Sequence, residues 1–519
     1  MTVRLPQLQF GPGISLGAME LSALVEDRFA SRLHGRDATL WGEAAEAEAS
    51  VRLGWVDAHS RGTAIVSAAE ELRTELGSAG VDRIVLCGMG GSSLAPEVIT
   101  RRDWAPLVVL DSTHPEQVRR ALRELERTAV VVSSKSGSTV ETRSQLAAFE
   151  AAFAAAGISA TERIVVVTDP GSALQEYARS RGYRVFLADP EVGGRFSALT
   201  AFGLVPSVLA GADARGLIAE AEAAAEILFR DSEENPALRL AAALAAALPA
   251  RYLGGAFETQ VRNTHLADWI EQLVAESTGK DGRGVLPIAL PQGAPELEGE
   301  LPENELLIEL RPEARSDAGA PQTITVSGSL GGLLLTWEVA TAALGRLIGV
   351  DPFNQPDVEA AKVAARAALA EVGSDEGAAP TATPAELLTQ LRAATPENGY
   401  VVVQAYLDAE TDAPLNDLRA ALVRELRVPV ALGFGPRYLH STGQFHKGGP
   451  ALGVFLQVVD GSVEDLPIPG ADGADSSAGF AGLIAAQAKG DRDVLSGLGR
   501  PVRVIDQSEV AALLAELRG

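Results

Sequence analysis

Two loops rich in glycine and serine each follow a short apolar run. The first is Gly88-Met89-Gly90-Gly91-Ser92, after the run 84–86, and the second is Ser134-Lys135-Ser136-Gly137-Ser138-Thr139, after the run 129–132. Each pattern predicts a strand, a tight loop and a helix, which together aim backbone N–H groups and hydroxyls at one anion. Neither loop is a Walker A motif or a complete dinucleotide fingerprint. The pair therefore predicts a site for a sugar phosphate or a similar small phosphorylated ligand.

Three further segments carry residues suited to acid–base chemistry. Arg195 follows two glycines ahead of a predicted helix, where a guanidinium can stabilise a developing oxyanion. Gln272 and Glu276 are four residues apart on one helix face, and a carboxylate at the end of that helix is a candidate general base. His440 and His446 are two of only six histidines and fall in one predicted loop. We expect one of them to act as an acid or a base.

The composition limits the class of partner and the compartment. The chain has 519 residues with 44 Lys plus Arg against 69 Asp plus Glu, a net charge of −25. So acidic a surface argues against nucleic acid and against an anionic membrane as partners. The single cysteine, Cys87, allows no internal disulfide and fits a reducing cytosol. With no signal peptide at the amino terminus and no apolar run approaching ~20 residues, we expect a cytoplasmic location.

The pattern of apolar runs predicts an α/β fold. Runs at 84–86, 107–110, 130–132, 164–167 and 185–186 lack polar alternation, as expected for parallel strands buried on both faces. Similar runs follow at 285–290, 306–310, 400–405, 430–434, 454–458 and 502–505. The predicted organisation is an N-terminal helical segment at 1–77, a first α/β domain with the phosphate loops at 78–230, and a second α/β domain with a C-terminal extension at 231–519.

Taken together, these segments resemble the glucose-6-phosphate isomerase family, particularly the divergent form found fused to transaldolase in some bacteria. The matches occur in family order. They are Gly88 to Ser92, Ser134 to Thr142, Gly193-Gly194-Arg195-Phe196-Ser197, Gln272 to Lys280, and Gln355 with Lys362 seven residues later.

The resemblance implies a fold, a reaction and a set of roles. The fold would be two sugar-isomerase (SIS) domains, each a doubly wound parallel sheet in three α/β/α layers, with helical N-terminal and bridging segments. The reaction would be the reversible isomerisation of glucose 6-phosphate and fructose 6-phosphate through a cis-enediolate, with no cofactor and no metal. Glu276 would move the proton between C1 and C2, Arg195 would stabilise the negative charge, and Lys362 would assist ring opening. The substrate-binding residues would be Gly91, Ser92, Ser134, Lys135, Ser136, Ser138, Thr139, Gln272 and Gln355.

The ring-opening histidine departs from the family order. The family places it in a Thr-Asn-Gly-Gln-His stretch between its Glu and Lys signatures, but no histidine lies between Glu276 and Lys362. Thr442-Gly443-Gln444-Phe445-His446 resembles that stretch in a later position, so we favour His446, with His440 second. The long C-terminal half would then supply this histidine within one chain. The resemblance leaves open a homodimer and a functional link to transaldolase.

Other functions share part of this pattern. One alternative is another SIS enzyme: a phosphomannose isomerase, a bifunctional phosphoglucose/phosphomannose isomerase, or a glucosamine-6-phosphate synthase isomerase domain. A second is a non-catalytic SIS sensor of sugar phosphates, which needs the serine loops but not Glu276, Arg195 and Lys362. A third is a paralogue that folds without turnover.

Overall fold

The computed structural model describes residues 3–260, 263–317, 319–356, 382–411, 413–470 and 475–518. The strands of its first sheet are β2 (Arg83–Gly88), β3 (Leu107–Leu110), β4 (Thr128–Ser133), β5 (Ile164–Thr168) and β6 (Arg184–Leu187). All are parallel, in the order β3-β2-β4-β5-β6. The apolar strand β4 is buried throughout. Because β2 and β4 are neighbours, the loops that leave their carboxyl ends lie side by side.

A second sheet is built mainly from the middle of the chain. Its strands are β1 (Gln7–Phe10), β7 (Leu253–Glu258), β8 (Leu286–Ala289), β9 (Glu305–Arg311) and β10 (Thr323–Ser327). They lie in the order β1-β10-β9-β7-β8, with β1 antiparallel at the edge and the other strands parallel.

A third parallel sheet lies in residues 382–518, which we call the C-terminal unit. Its strands are β11 (Tyr400–Tyr406), β12 (Val430–Phe434), β13 (Gly453–Val459) and β16 (Val502–Asp506). Their order is β12-β11-β13-β16. An antiparallel pair, β14 (Pro467–Pro469) and β15 (Asp475–Gly479), stands apart from this sheet.

Helices cover the sheets and fill the segments between them. They are α1 (Ala18–Glu26), α2 (Phe29–His34), α3 (Glu43–Ala49), α4 (Ala58–Ser78), α5 (Leu94–Arg102), α6 (Pro115–Ala121), α7 (Val140–Ala155), α8 (Ala173–Arg181), α9 (Ala201–Ala210), α10 (Ala214–Leu228), α11 (Pro236–Ala247), α12 (Leu266–Thr278), α13 (Leu330–Ile348), α14 (Pro384–Ala394), α15 (Leu415–Leu426), α16 (Gly443–Gly448), α17 (Phe480–Gly497) and α18 (Val510–Arg518). Helix α13 is long and apolar enough to cross a membrane, but 83% of its apolar window is buried within the fold.

The predicted α/β class with parallel sheets is confirmed, and every predicted strand has a counterpart. Five strands of the described residues escaped prediction. They are β1, β7, β10, β14 and β15. The segment 1–77 contributes α1 to α4 but also β1, which pairs with β10 in the second sheet. The segment 231–519 contributes to two separate parallel sheets, and its C-terminal extension has an apolar core of its own.

Candidate functional site

The first serine loop is enclosed by three other elements. It continues from β2 into the short 3₁₀ helix Gly90–Ser92 and then into α5. Gly90 has φ +55°, and a Cβ on it would lie 2.6 Å from the carbonyl oxygen of His440 and 2.7 Å from Nε2 of Gln272. A Cβ on Gly91 would lie 2.1 Å from the carbonyl oxygen of Gly194. Only glycine fits at these two positions, where the loop, helix α12 and the C-terminal unit meet.

The second serine loop leads from β4 into α7 and presents two exposed hydroxyls. Ser136 and Ser138 are exposed, with their oxygens 2.8 Å apart. Ser134 is buried, and its Oγ accepts a hydrogen bond from the N–H of Gly137 at 3.1 Å, which shapes the turn. Lys135 pairs with Asp169 at 2.5 Å. The helix N-terminus behind these hydroxyls suits an anion.

A buried carboxylate, Glu276, lies in the last turn of α12. It is 3% exposed, and its Oε2 accepts a hydrogen bond from Nε2 of Gln355 at 3.0 Å. Nη1 of Arg195 lies 3.9 Å from the same oxygen. Burial lowers the pKa of the Arg195 guanidinium. The structure thus brings together Arg195, Glu276 and Gln355, three predicted site residues that span 160 positions of the chain.

Two buried cations hold the segment that carries Gln355. Arg195 donates Nη2 to the carbonyl oxygens of Pro352 at 2.6 Å and of Asn354 at 3.1 Å. Lys280, which the sequence analysis assigned no role, donates to the carbonyl oxygen of Asp351. Burial, reinforced by the charge of Arg195, lowers the pKa of Lys280 well below its ordinary value. These hydrogen bonds fix the backbone just before Gln355. They therefore also position the side-chain amide of Gln355 that donates to Glu276. Lys362 lies outside the described residues.

His440 lies among the predicted site residues. Its Nε2 is 3.1 Å from Oε1 of Glu141, and Nε2 of Gln487 donates to the same oxygen at 2.7 Å. Its carbonyl oxygen accepts a hydrogen bond from Nε2 of Gln272 at 2.6 Å. Glu141 stands in the first turn of α7, where the helix dipole favours a carboxylate. The sequence analysis gave Glu141 no role, although its position in the second loop's motif was a usable signal.

His446, the favoured candidate, lies apart from Glu141 and Gln272, which His440 contacts. Its side chain is 2% exposed and is surrounded by the rings of Tyr400, Phe445 and Phe455. Nδ1 is 3.1 Å from the hydroxyl of Tyr400, and Nε2 has no hydrogen-bond partner among the described residues. Burial, assisted by the charges of Lys447 and Arg500, lowers the pKa of His446 to about 3. A neutral imidazole inside an aromatic cluster is a core residue.

Comparisons with known proteins agree with this geometry. A family model described as phosphoglucose isomerase matches residues 66–284. The chain is 31% identical over 353 residues to a probable glucose-6-phosphate isomerase from Haloarcula marismortui, a match that spans 58% of this chain and 81% of that protein. It is 32% identical over 354 residues to a glucose-6-phosphate isomerase from Thermus thermophilus, spanning 56% of this chain and 84% of that protein.

Two solved structures resemble the fold of this chain. A hypothetical protein from Thermus thermophilus superposes with a TM-score of 0.58 at 28% identity, covering 68% of this chain and 97% of that one. A glucose-6-phosphate isomerase from Chlamydia trachomatis superposes with a TM-score of 0.52 at 18% identity, covering 69% of this chain and 86% of that one. The second likeness is one of fold.

Proposed function

Because the chain belongs to the glucose-6-phosphate isomerase family, we propose that it interconverts glucose 6-phosphate and fructose 6-phosphate through a cis-enediolate. The observation that carries this proposal is the buried carboxylate of Glu276, which lies near Arg195 and accepts a hydrogen bond from Gln355. Aldose–ketose isomerisation needs one base that takes a proton from carbon and returns it to the neighbouring carbon.

Glu276 is the residue suited to this transfer. Its carboxylate takes the proton from C2 of the aldose, and the electron pair moves to the carbonyl at C1, giving an enediolate. The proton of the C2 hydroxyl passes to the oxygen on C1. The carboxylic acid then returns its proton to C1 as the carbonyl forms at C2. Arg195, whose Nη1 lies 3.9 Å from Glu276, supplies positive charge for the enediolate oxygen. Gln355 keeps the carboxylate in one orientation through its 3.0 Å hydrogen bond.

The phosphate group is assigned to the second serine loop. Ser136 and Ser138 expose their hydroxyls at the N-terminus of α7, and Thr139 is the N-cap residue just before this helix. We assign Gly91 and Ser92 to the same phosphate site, because the first loop follows β2, the strand next to β4. An anion held here fixes one end of the sugar, and binding energy from that end helps to orient C1 and C2.

Ring opening is assigned to His440, with Glu141 as its partner. The 3.1 Å contact to Glu141 uses Nε2, and Nδ1 has no hydrogen bond to any described residue. A carboxylate that holds one nitrogen of an imidazole orients the ring. Nδ1 is then the nitrogen that exchanges a proton with the ring oxygen of the cyclic sugar. Both residues come from one chain, so this step needs no second subunit.

The cellular role follows from the reaction. Interconversion of the two hexose phosphates serves glycolysis in one direction and gluconeogenesis in the other. The single cysteine, Cys87, which is buried, supports a cytoplasmic location. The two sheets at the site are assigned as SIS domains.

The test is direct conversion by the purified full chain. With fructose 6-phosphate as substrate and EDTA present, we expect glucose 6-phosphate to form, detected with a coupled dehydrogenase. In deuterium oxide, some of the product should carry deuterium at C2, because the carboxylic acid of Glu276 exchanges with solvent. Formation of mannose 6-phosphate instead would indicate another phosphosugar isomerase. Binding without conversion would indicate a sensor.

A further inference from the structure

One arginine joins the C-terminal unit to the first sheet domain beside the site. Arg437 begins the short 3₁₀ helix Arg437–His440, three residues before His440. Its Nη2 donates to Oε2 of Glu97 at 2.7 Å, and its Nη1 lies 3.0 Å from Oδ2 of Asp111. Glu97 belongs to α5, and Asp111 follows β3, so both acceptors lie in the first sheet domain. Both carboxylates are buried.

The surroundings of this guanidinium are acidic. Asp111, Glu97 and Asp268 together outweigh the effect of burial and raise the pKa of Arg437. Glu271 lies on the same face of α12 as Asp268. Burial and the charge of Asp268 raise the pKa of Glu271 to about 8. The elements of the first and second sheets therefore carry an excess of negative charge at this point. The C-terminal unit places the guanidinium of Arg437 among these carboxylates. A buried carboxylate left without its cation is strongly unfavourable.

The turn that Arg437 begins also carries His440 into the site. At its far end, the carbonyl oxygen of His440 accepts the hydrogen bond from Gln272, and the backbone passes within reach of Gly90. The imidazole then meets Glu141. A turn of four residues has little freedom between its ends, so the anchor at the first residue sets the direction of the last.

We propose that Arg437 is a positioning residue, which seats the histidine-bearing turn on Glu97 and Asp111 so that His440 meets Glu141. The inference rests on the proposed role of His440 in ring opening. It goes beyond that role, because it names the residue that aligns His440, which the C-terminal unit supplies. Arg437 acts through His440 and does not contact the reacting atoms.

A second arginine of the same unit that pairs with a buried carboxylate provides a control. Arg419 on α15 pairs with Glu296, and both side chains are almost fully buried. This pair joins the C-terminal unit to the segment after β8, and among the described residues neither side chain shares a hydrogen bond or ion pair with the turn that carries His440. If Arg437 only helped the unit to dock, Arg437→Gln and Arg419→Gln should have the same effect on catalysis.

The experiment compares these variants in three measurements on the full chain. Exchange between the anomers of glucose 6-phosphate, followed by NMR, reports ring opening without the Glu276 step. Steady-state kinetics give kcat and KM for isomerisation. Titration with a five-carbon aldonate phosphate, which has no ring and carries a carboxylate where the enediolate forms, reports the open-chain site alone.

We expect Arg437→Gln to lower kcat and catalysed anomer exchange ~10- to 100-fold, because small misplacements of an acid–base group have effects of this size. The Kd for the aldonate should stay within about twofold, since the phosphate loops and Glu276 are unchanged. Arg419→Gln should keep both rates even if its melting temperature falls. Arg437→Lys keeps the charge but loses the two-pronged geometry, and we expect rates between those of wild type and Arg437→Gln. If Arg437→Gln does not fold, Arg437→Lys carries the same comparison.

Three results would overturn the inference. They are unchanged anomer exchange in the Arg437 variants, equal losses in the Arg437 and Arg419 variants, and an aldonate Kd that weakens in step with kcat. Failure of the proposed function looks different, because wild-type protein would then not convert fructose 6-phosphate at all.

Discussion

Replacing His446 by phenylalanine should make the C-terminal unit less sensitive to acid. The imidazole lies among aromatic rings, and burial lowers its pKa from 6.5 to about 3. Above pH 6.5 neither the folded nor the unfolded chain binds a proton at this residue. As the pH falls below that value, the unfolded chain binds a proton that the folded chain excludes. The free energy of unfolding therefore falls with pH until the folded pKa is reached.

The size of the effect follows from the pKa difference. One pKa unit corresponds to about 1.4 kcal/mol, so the full loss below the folded pKa is about 5 kcal/mol. At about pH 4.5 the loss relative to neutral pH is about 3 kcal/mol. His446→Phe should remove this part of the acid sensitivity. At neutral pH it should be less stable than wild type by about 1 kcal/mol, because the hydrogen bond with Tyr400 is lost.

Native-state hydrogen exchange of strand β11 is the suitable assay. This strand lies inside the third sheet and includes Tyr400, so its slowest amides report opening of the structure around His446. Tyr400→Phe is the matched control, since it removes the hydroxyl but keeps the imidazole and should keep the acid sensitivity. An equal loss of opening free energy in wild type and His446→Phe on acidification would refute the reasoning. It would mean that His446 binds protons in the folded state and is a candidate for catalysis again.

Two further substitutions test the arrangement around His440. His440→Asn should slow catalysed anomer exchange by about 10²–10⁴-fold, the usual contribution of a general acid–base group, while His446→Phe keeps the wild-type rate; equal rates in wild type and His440→Asn would contradict the assignment. Gly90→Ala should lower kcat by roughly tenfold or more, because its methyl group would lie 2.6 Å from the carbonyl oxygen of His440. Gly80→Ala is the control for backbone strain alone, since Gly80 has φ +80° with no atom within 4 Å of a Cβ; similar kcat values for the two glycine variants would argue against the close contact.

Much of the fold could be predicted because buried parallel strands have a strong sequence pattern. The continuous apolar runs gave β2, β4 and β5 directly. Strand β7 was missed because it contains two glycines, Gly254 and Gly255, which are uncommon inside strands. Strand β1 was missed because its pairing with β10 joins residues more than 300 positions apart, and no local pattern reports such a contact.

The site shows the same division between local and distant information. Arg195, Glu276 and the serine loops are recognisable because each stands in a characteristic segment beside a loop or a helix end. Local sequence does not distinguish His440 from His446. Tertiary packing determines which of the two histidines lies against α7. The similarity of the Thr442 to His446 stretch to the family motif favoured His446, whereas the anchor at Arg437 brings His440 to Glu141.

Glu276 is assigned the proton transfer between C1 and C2, and the isomerisation rate of Glu276→Gln tests this role. The amide keeps the size of the side chain but cannot accept the proton. We expect kcat to fall by about 10²–10⁴-fold, while fructose 6-phosphate still raises the melting temperature of the variant as it does that of wild type. A kcat within a few-fold of wild type would contradict the account and would require another base for the reaction.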